Sequence, residues 1–460
     1  MHELTKLIFD DMRPALGVTE PGAIAFAVAT AREHVKGHIE KVILRLNSGM
    51  FKNAFTCGIP GISEVGNYHA AALGAVATDP KKGLECLDGI SKEETVAARR
   101  MVEEGRIKVE MTEVTSRIFI EATVVAGGGV VGAPISDMVS GNVAGAPENG
   151  AGTSEETEEC LTQTATVTIR DSHTNIVKIT VNGDVVYEKE SGVGAGEHDA
   201  PALIHKYTLE EIHTYAKTAP LEEIAFVKAA YDMNWELMEE GLANPKTTYS
   251  RYLLAVNGGE IVSGDEQKTA SLFCNAAIEA RVLGLSKPAM SITGSGAHGI
   301  IATMPLLAAC KVNGYSDEAL YRATVLSYLI CTYIKEYSGK LSAFCGCAIA
   351  AGTGMACGLV LLRGGSTAQM EKTINNMACS ITGMICDGGN QGCTMKGVVA
   401  VDAAFTSVNM AMKDVYIYNV HGINGATPEE TMRNMGLIAS PGMVGTEKTI
   451  VDILNMKNER

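Results

Sequence analysis

Apolar and polar residues alternate with two different periods along this chain. Six segments are predicted to be β-strands, with the two-residue alternation clearest at residues 165–169: residues 42–46, 107–111, 117–125, 165–169, 176–181 and 185–189. Four segments before or between these strands have apolar residues at helical spacing: residues 3–14, 23–35, 66–77 and 92–104. Asn182-Gly183, between the last two strands, predicts a two-residue hairpin turn.

Beyond about residue 206 the helical period continues and no convincing strand follows. Thr208 and Glu211 have the spacing of a capping box at the start of a helix. The change of period predicts an α+β N-terminal domain, residues 1–200, followed by an all-α C-terminal domain, residues 201–460. A chain of 460 residues is also long for a single core. Residues 126–163, rich in Gly, Ala, Ser, Glu and Pro, predict an insertion or mobile loop.

The composition is that of a globular protein, with 46% hydrophobic and 20% charged residues. A formal net charge of −15 opposes binding to nucleic acid or to an anionic membrane. Residues 341–362 carry no charge, but their many Gly, Ala, Ser, Thr and Cys residues favour a buried helix over a membrane span. No secretion signal is recognised, so we expect a cytoplasmic protein, with a homodimer as the default assembly.

The cysteines are concentrated in the second half of the chain. Nine of the twelve lie within residues 274–393, and without a secretion signal they predict reduced thiols, metal ligands or core residues rather than disulfides. Five of these nine are expected to pack in the helical core: Cys274, Cys310, Cys331, Cys357 and Cys379.

Cys386 and Cys393 stand apart because they flank a polar, glycine-rich loop between two predicted helices. The upstream helix begins at a capping pair, Ser366 and Gln369, and the downstream helix covers residues 394–412. Cys393 therefore lies at a helix N-terminus, where the backbone dipole favours the thiolate that a metal requires.

The spacing of these cysteines favours an iron–sulfur cluster over zinc. Zinc ligands are usually two to four residues apart, whereas six residues separate Cys386 from Cys393. Cys345 and Cys347 can supplement either site. If three thiolates hold a four-iron cube, its fourth iron is open to a substrate hydroxyl or thiol.

Three other segments have features of a binding site for a small anion. Thr19 is a natural N-cap for the helix that begins near Pro21, and a helix N-terminus can bind a carboxylate. Lys52 and Asn53 lie in a predicted loop with three glycines. The loop at residues 291–300 is also glycine-rich but lacks the full spacing of a nucleotide-binding loop. Each segment can also be an ordinary cap or connection.

Several motifs resemble those of the iron–sulfur L-cysteine desulfidase family, which is similar in its helical domain to the iron–sulfur L-serine dehydratases. The motifs are Gly-Val-Thr-Glu-Pro at 17–21, Met-Phe-Lys-Asn at 50–53, His-Thr-Asn-Ile-Val at 173–177, Gly-Ser-Gly at 294–296 with Ala-Thr-Met-Pro at 302–305, Leu-Ser-Ala-Phe-Cys at 341–345, and Gly-Met-Ile-Cys-Asp-Gly at 383–388 with Cys-Thr-Met-Lys at 393–396. The resemblance covers nearly the whole chain, and its cysteine motifs are the most specific.

The resemblance implies a [4Fe–4S] cluster held by Cys345, Cys386 and Cys393, with an open iron for the leaving group of a small amino acid. It implies α,β-elimination of H₂S, giving pyruvate and ammonia. Six residues become expected substrate contacts: Thr19, Glu20, Lys52, Asn53, Asn175 and Ser295. Three become expected acids or bases: His173, His298 and Lys396.

The chain departs from the family pattern at three places near the expected pocket. Family members commonly have cysteine at the position of Val18, asparagine at that of Ile292, and Asn-Gln where this chain has Ala297-His298. These departures suggest the same reaction type on an altered substrate. His298 then supplies an acid or base, or a substrate contact; the alternative is a structural histidine. Two alternatives remain: a dehydratase acting on L-serine or a related hydroxy amino acid, and a non-catalytic ligand or redox sensor.

Overall fold

The computed structural model describes residues 1–127, 162–189 and 202–458. Apart from its two ends, the predicted insertion at residues 126–163 lies outside the described residues, as does most of the predicted boundary region at residues 192–206.

The first part of the chain is mixed α and β, as predicted. Its strands are β1 Arg13–Leu16, β2 His38–Leu46, β3 Ile107–Met111, β4 Phe119–Gly127, β5 Gln163–Arg170, β6 Ile176–Val181 and β7 Asp184–Glu188. Its helices are α1 Glu3–Asp11, α2 Thr19–Arg32, α3 Ser48–Asn53, α4 Gly66–Val76 and α5 Lys92–Glu103, with a 3₁₀ segment at Pro80–Glu85.

Six of these strands form one sheet in the order β3-β2-β4-β5-β6-β7, in which only the β2–β3 pair is parallel. Alternate residues of β4 and β5 are buried, and α2 packs on both strands. The predicted hairpin joins β6 to β7, with Asn182 and Gly183 both at positive φ.

The remainder of the described chain is predominantly helical. Its helices are α6 Leu209–Thr218, α7 Leu221–Ile224, α8 Lys228–Ala243, α9 Tyr249–Val256, α10 Glu266–Val282, α11 Gly296–Asn313, α12 Asp317–Ser338, α13 Gly352–Leu362, α14 Thr367–Ile381, α15 Gly392–Ala411, α16 Pro428–Leu437 and α17 Val444–Asn458. Shorter turns are 3₁₀ at Leu203–Lys206 and Ala225–Val227, and π at Cys347–Ala351 and Ile438–Gly442. Helix α10 lies at the centre, buried from Thr269 to Val282 against α8, α11 and α15.

The expectation that no strand follows residue 206 is wrong. Strand β8, Pro288–Ser291, pairs antiparallel with β1, so a two-stranded ribbon joins the start of the chain to the helical part. Each strand has four residues, too few for a two-residue period to stand out. The pairing sets the start of α11 beside the end of α1, where Thr293 N–H donates to the Asp11 carboxylate.

The uncharged segment at residues 341–362 is only half helical. Its first five residues are extended or irregular, a π turn lies at Cys347–Ala351, and the regular α-helix covers only Gly352–Leu362. Among the residues that the structure describes, none of the helices is long and apolar enough to cross a membrane.

A buried carboxylate from α10 caps the neighbouring helix α9. Glu279 is fully buried, and its oxygens accept from the backbone N–H groups of Thr248 at 2.7 Å, Tyr249 at 3.1 Å and Ser250 at 2.7 Å. Burial acts against ionisation, but these donors outweigh it and hold the Glu279 pKa below its ordinary 4.5. Thr248 is the N-cap residue of α9, but its side chain makes no capping hydrogen bond, so the Glu279 carboxylate caps the helix instead.

Replacing Glu279 by alanine should lower the free energy of unfolding by about 3 to 5 kcal/mol, because it leaves buried N–H groups without acceptors. Because the folded-state pKa is depressed, Glu279 contributes stability above its unfolded pKa, and this is lost as pH falls through the folded value. Urea unfolding at pH 7 and below pH 4 measures both effects. The exposed Glu260→Ala is the control, and an equal loss of stability in it would contradict this assignment.

Candidate functional site

A cavity of about 190 Å³ lies where loops of the first part meet helix ends of the second. Its walls are formed by Asp11, Glu20, Asn53, Ile118, Asp171, Ser172, His173, Thr293, Gly294, Ser295, His298, Lys335, Lys340, Leu341, Ser342, Phe344, Gly346, Cys347 and Cys386. Six of the residues expected from the sequence are among them: Glu20, Asn53, His173, Ser295, His298 and Cys386.

Two short extended segments bring distant cysteines together beside this cavity. Phe344 pairs antiparallel with Ile385, the N–H of Cys345 donates to Met384 O at 3.0 Å, and the N–H of Cys386 donates to Ala343 O at 2.6 Å. In this register Cys345 and Cys386 are diagonal neighbours on one face of the pair. Two backbone hydrogen bonds thus hold together segments whose cysteines are 41 residues apart in the sequence.

Lys52 holds these two segments in place. It is fully buried, and its Nζ donates to Ser342 O at 3.0 Å, Cys386 O at 2.8 Å and Glu447 Oε2 at 2.8 Å. An ammonium group has three protons, so all are given to protein acceptors. Lys52 therefore joins α3, both cysteine segments and α17, and it does not line the cavity. The residues around it form helix α3 and not the expected loop.

The loop that carries Cys386 and Cys393 lies flat against α3 and Val18. Gly389 N–H donates to Asn53 O at 3.0 Å, and a Cβ at Gly388 would lie 2.5 Å from Lys52 O. A Cβ at Gly389 would meet a methyl group of Val18 at 2.7 Å. This close approach requires glycine at both positions 388 and 389. Val18, which stands where family members commonly have cysteine, therefore contacts the loop between Cys386 and Cys393.

The thiols of Cys345, Cys386 and Cys393 are close enough to shift one another's pKa. A negative charge on Cys386 raises the pKa of Cys393, and one on Cys345 raises the pKa of both. The Cys345 pKa is lowered to about 7, chiefly because the Cys347 thiol donates to it. Such a group of thiols, one of them acidic, has the chemistry of a metal-binding donor set.

The position of Cys393 at the start of a helix does not by itself make its thiol acidic. Cys393 does lie in the first turn of α15, but burial and the neighbouring Cys386 raise its pKa to about 11. Desolvation acts on the whole charge, whereas the helix terminus supplies only a partial one. A bound metal would have to displace the proton.

Glu20 and Asn53 form a polar pair on one wall of the cavity. Asn53 Nδ2 donates to Glu20 Oε1 at 2.8 Å, and Glu20 is in the first turn of α2. Thr19 is not the N-cap that the sequence predicted: α2 begins at Thr19 itself, after Val18, and the buried Thr19 Oγ1 has no hydrogen-bond partner among the described residues. It does not line the cavity.

Of the two site residues expected in the loop between β5 and β6, one lines the cavity and the other does not. His173 lines the cavity, its Nε2 is buried without a hydrogen-bond partner within the described chain, and burial lowers its pKa. Asn175 lies outside the cavity, with its amide bound to Arg170 O and Lys189 Nζ.

His298 is held in one orientation at the start of α11. Its Nδ1 contacts Thr293 Oγ1, and its Nε2 would lie 2.7 Å from a Cβ at position 346. Burial, with the positive charges of Lys335 and Arg281, lowers its pKa well below 6.5. The ring is therefore neutral at pH 7, and Nε2 faces the Gly346 backbone between Cys345 and Cys347.

Lys396 pairs with Asp387 beside the cysteine loop and does not line the cavity. Asp387 and the nearby thiols outweigh burial and raise the Lys396 pKa above its ordinary value, while Lys396 lowers that of Asp387. A lysine that holds its proton this firmly is poorly suited to be a base. Its position favours charge balance beside Cys386 and Cys393.

Lys335 is not among the site residues expected from the sequence, and Cys347 is expected there only as a supplementary cysteine. Both line the cavity, and Lys335 is buried, with burial lowering its pKa. A detectable signal for Lys335 is its position as the first charge after a long apolar run in α12, residues 323–334. Buried ionisable groups of this kind are frequent at functional sites.

Among the described residues, no group of three or more His, Cys, Asp or Glu side chains is arranged to hold a single metal ion. The ligands of a four-iron cube bind separate irons, so they need not converge on one point. Three neighbouring thiols beside a cavity, with Lys396 close to two of them, therefore suit a cluster better than a single zinc ion.

Comparison with known proteins gives the family. The model of the serine dehydratase alpha chain family matches residues 81–452, and this chain belongs to that family. The match covers both cysteine segments, α10–α13 and the loop with His298, but it begins after α2 and α3.

Relatives cover nearly the whole chain. A UPF0597 protein of Clostridium botulinum is 38% identical over 462 residues, spanning 98% of each chain. The UPF0597 proteins of Caldanaerobacter subterraneus and Bacteroides fragilis are each 32% identical over 457 residues, 99% of this chain and 98% of theirs.

Replacing Gly346 by alanine should lower the activity of the site about 100-fold, because the new Cβ would lie 2.7 Å from His298 Nε2 and displace the ring. Gly383→Ala is the matched control, since a Cβ there meets nothing within 4 Å. Turnover and circular dichroism of both variants test this. Equal activity in the two variants would contradict the contact.

Proposed function

We propose that the chain is a [4Fe–4S]-dependent lyase that catalyses α,β-elimination of H₂S from L-cysteine or a close analogue, giving pyruvate and ammonia. The observation that carries the proposal is the pairing of the Cys345 and Cys386 segments beside a cavity lined by two neutral histidines, with Cys393 close enough for both thiols to raise its pKa. Membership of the serine dehydratase alpha chain family supports a dehydratase-type elimination.

Cys345, Cys386 and Cys393 would hold the cluster. When bound, a cluster with three protein thiolates offers one open iron that acts as a Lewis acid toward the leaving group. Lys52 fixes the spacing of the thiol-bearing segments by bonding both backbones. Lys396 balances part of the negative charge, since both Cys386 and Cys393 raise its pKa.

His298 is the proton acceptor that the geometry favours. Its Nδ1 contacts Thr293 Oγ1, and with Nδ1 as the donor of that hydrogen bond the neutral ring would have its lone pair at Nε2, on the side of Gly346. A base oriented by a second group and lying beside the metal ligands is a common catalytic arrangement. In the reaction, Nε2 takes the Cα proton, the Cα–H electron pair forms the Cα–Cβ double bond, and sulfide leaves Cβ.

Glu20 is the group best suited to hold the substrate ammonium. Its carboxylate lines the cavity, and Asn53 orients it through one oxygen. Elimination first gives an enamine, which tautomerises to an imine and is hydrolysed to pyruvate and ammonia. No protein group is required for the hydrolysis.

Elimination of water from L-serine or a related hydroxy amino acid is the second candidate. Two observations favour it: the match to the serine dehydratase alpha chain family, and Val18 in place of the family cysteine, in contact with the cysteine loop. A methyl group at that position offers no thiol to the site. Assays with both substrates decide between the leaving groups.

Anaerobic reconstitution should give a brown protein with four iron and four sulfide ions per chain, the content of one [4Fe–4S] cluster. Alanine substitution of Cys345, Cys386 or Cys393 should each lower the iron content, measured colorimetrically and by absorption near 400 nm. Cys357→Ala is the control, because that thiol is buried in α13 and burial raises its pKa.

Cys347→Ala should retain the cluster, because Cys347 is assigned as a donor to Cys345 and not as a ligand. Loss of iron in Cys347→Ala would indicate four thiolate ligands and contradict the open iron. A colourless wild-type protein after reconstitution would refute the cluster, and a cluster without turnover of any amino acid would favour a ligand or redox sensor.

Replacing His298 by asparagine should lower kcat for L-cysteine about 10²- to 10⁴-fold with a smaller change in KM, because proton transfer is lost while binding contacts remain. Sulfide and pyruvate release measure the rate. The exposed His421→Asn is the control, and His173→Asn tests the other cavity histidine. A larger kcat loss in His173→Asn would reassign the base.

A further inference from the structure

Two cationic side chains, Arg281 and Lys335, lie beside the first turn of α11, and the turn itself carries a third group that can be charged, His298. Arg281, near the end of α10, is only 5% exposed, and its Nε has no hydrogen-bond partner among the described residues. A Cβ at Gly296 would lie 2.6 Å from that Nε, so the guanidinium packs directly against the helix start.

Lys335 reaches the same turn from the end of α12. Its side chain is 6% exposed and lines the cavity, its Cδ would lie 3.1 Å from a Cβ at Gly346, and the same Cβ would meet His298. Its Nζ makes one hydrogen bond within the described chain, to Lys340 O at 3.3 Å. Two of its three protons are therefore left for a ligand.

The backbone at this place also lacks acceptors. Helix α11 has 18 residues, and its first intrahelical hydrogen bond is made by Gly299, so the N–H groups of residues 296–298 find no acceptor among the described residues. His173 Nε2, buried on the cavity wall without a partner in the described chain, is a further polar atom available to a ligand.

Two of the three carboxylates on the cavity wall are held by other groups. Asp11 accepts from Thr293 N–H and is influenced by Lys340 and Arg13, while Glu20 is held by Asn53. After burial, the largest influences on the pKa of Lys335 come from Cys331, Cys347, Lys340 and Cys386, and no carboxylate is among them. Burying cations without a partner is costly, so this turn is built to receive an anion.

On the basis of the proposed function, we infer that Lys335 and the free N–H groups of the first turn of α11 bind the carboxylate of the amino-acid substrate. A helix N-terminus and a buried ammonium together form an anion site. The acidic Glu20 lies on the same cavity, so the site has separate positive and negative groups for the two charges of an amino acid. Lys335 would thus select against substrates that lack a carboxylate.

The inference can be tested by binding without turnover. L-Alanine has the ammonium and carboxylate of the substrate but no leaving group, and L-alaninamide replaces the carboxylate by a neutral amide. Calorimetry on the full-length protein, with and without reconstituted cluster, should show that Lys335→Met lowers L-alanine affinity about 10- to 100-fold and leaves L-alaninamide affinity nearly unchanged. KM for L-cysteine should rise by a similar factor.

Lys340→Met is the matched control, because Lys340 lines the same cavity but is half exposed and lies 3.9 Å from Glu336. It should keep the preference for L-alanine. Melting temperature gives an independent readout: Lys335→Met should not be less stable than the wild type, because it removes a buried charge with no ionic partner. Lys335→Gln serves if the methionine variant folds poorly.

The inference is overturned if Lys335→Met keeps the wild-type ratio of L-alanine to L-alaninamide affinity, or if Lys340→Met loses it instead. It is also overturned if Lys335→Met loses only the cluster, which would mean that the ammonium neutralises the thiolates. Unchanged KM with normal turnover would refute the inference and leave the proposed function intact. If L-alanine binding depends on Lys335 but the protein eliminates no leaving group from any amino acid, the inference stands and the proposed function is refuted.

Discussion

The arrangement of the site depends on one buried ion pair. Lys52 and Glu447 are 2.8 Å apart and almost without solvent, and the remaining protons of Lys52 bind the backbones of Ser342 and Cys386. Four segments, distant in sequence, meet at a single ammonium group. A buried ion pair is a poor source of net stability, but removing one partner leaves an uncompensated charge, so the pair imposes one geometry on whatever surrounds it.

This constraint explains why the cavity has contributions from both parts of the chain. The cysteine segments belong to the helical part, whereas Glu20, Asn53 and His173 come from the mixed α/β part. The β1–β8 ribbon fixes a second junction, at the start of α11. With α3 and the ribbon both anchored, the neutral histidines, the thiols and the cationic turn of α11 lie around a volume of about 190 Å³, enough for a small metabolite.

The site also shows how burial alters groups of the same kind in different ways. Cys345 is made acidic by a neighbouring thiol, while Cys393, at a helix N-terminus, is made less acidic by burial. Lys396 is given a carboxylate and holds its proton, whereas burial without a carboxylate partner lowers the pKa of Lys335. Residue type and local spacing do not distinguish these cases, because the deciding term is the solvent and charge around each group in three dimensions.

The sequence by itself determined the elements whose signals are local. Periodicity predicted the strands of the six-stranded sheet and the hairpin at Asn182-Gly183, and capping residues predicted the starts of α6 and α14. Motif resemblance indicated a relation to the serine dehydratases, and the comparison assigns the chain to the serine dehydratase alpha chain family. Tertiary structure alone decided the pairing of β1 with β8, the task of Lys52, the unpartnered Thr19 and the place of Lys335 beside His298. Each of these depends on contacts between segments far apart in sequence, and a local pattern carries no information about which distant group fills a given space.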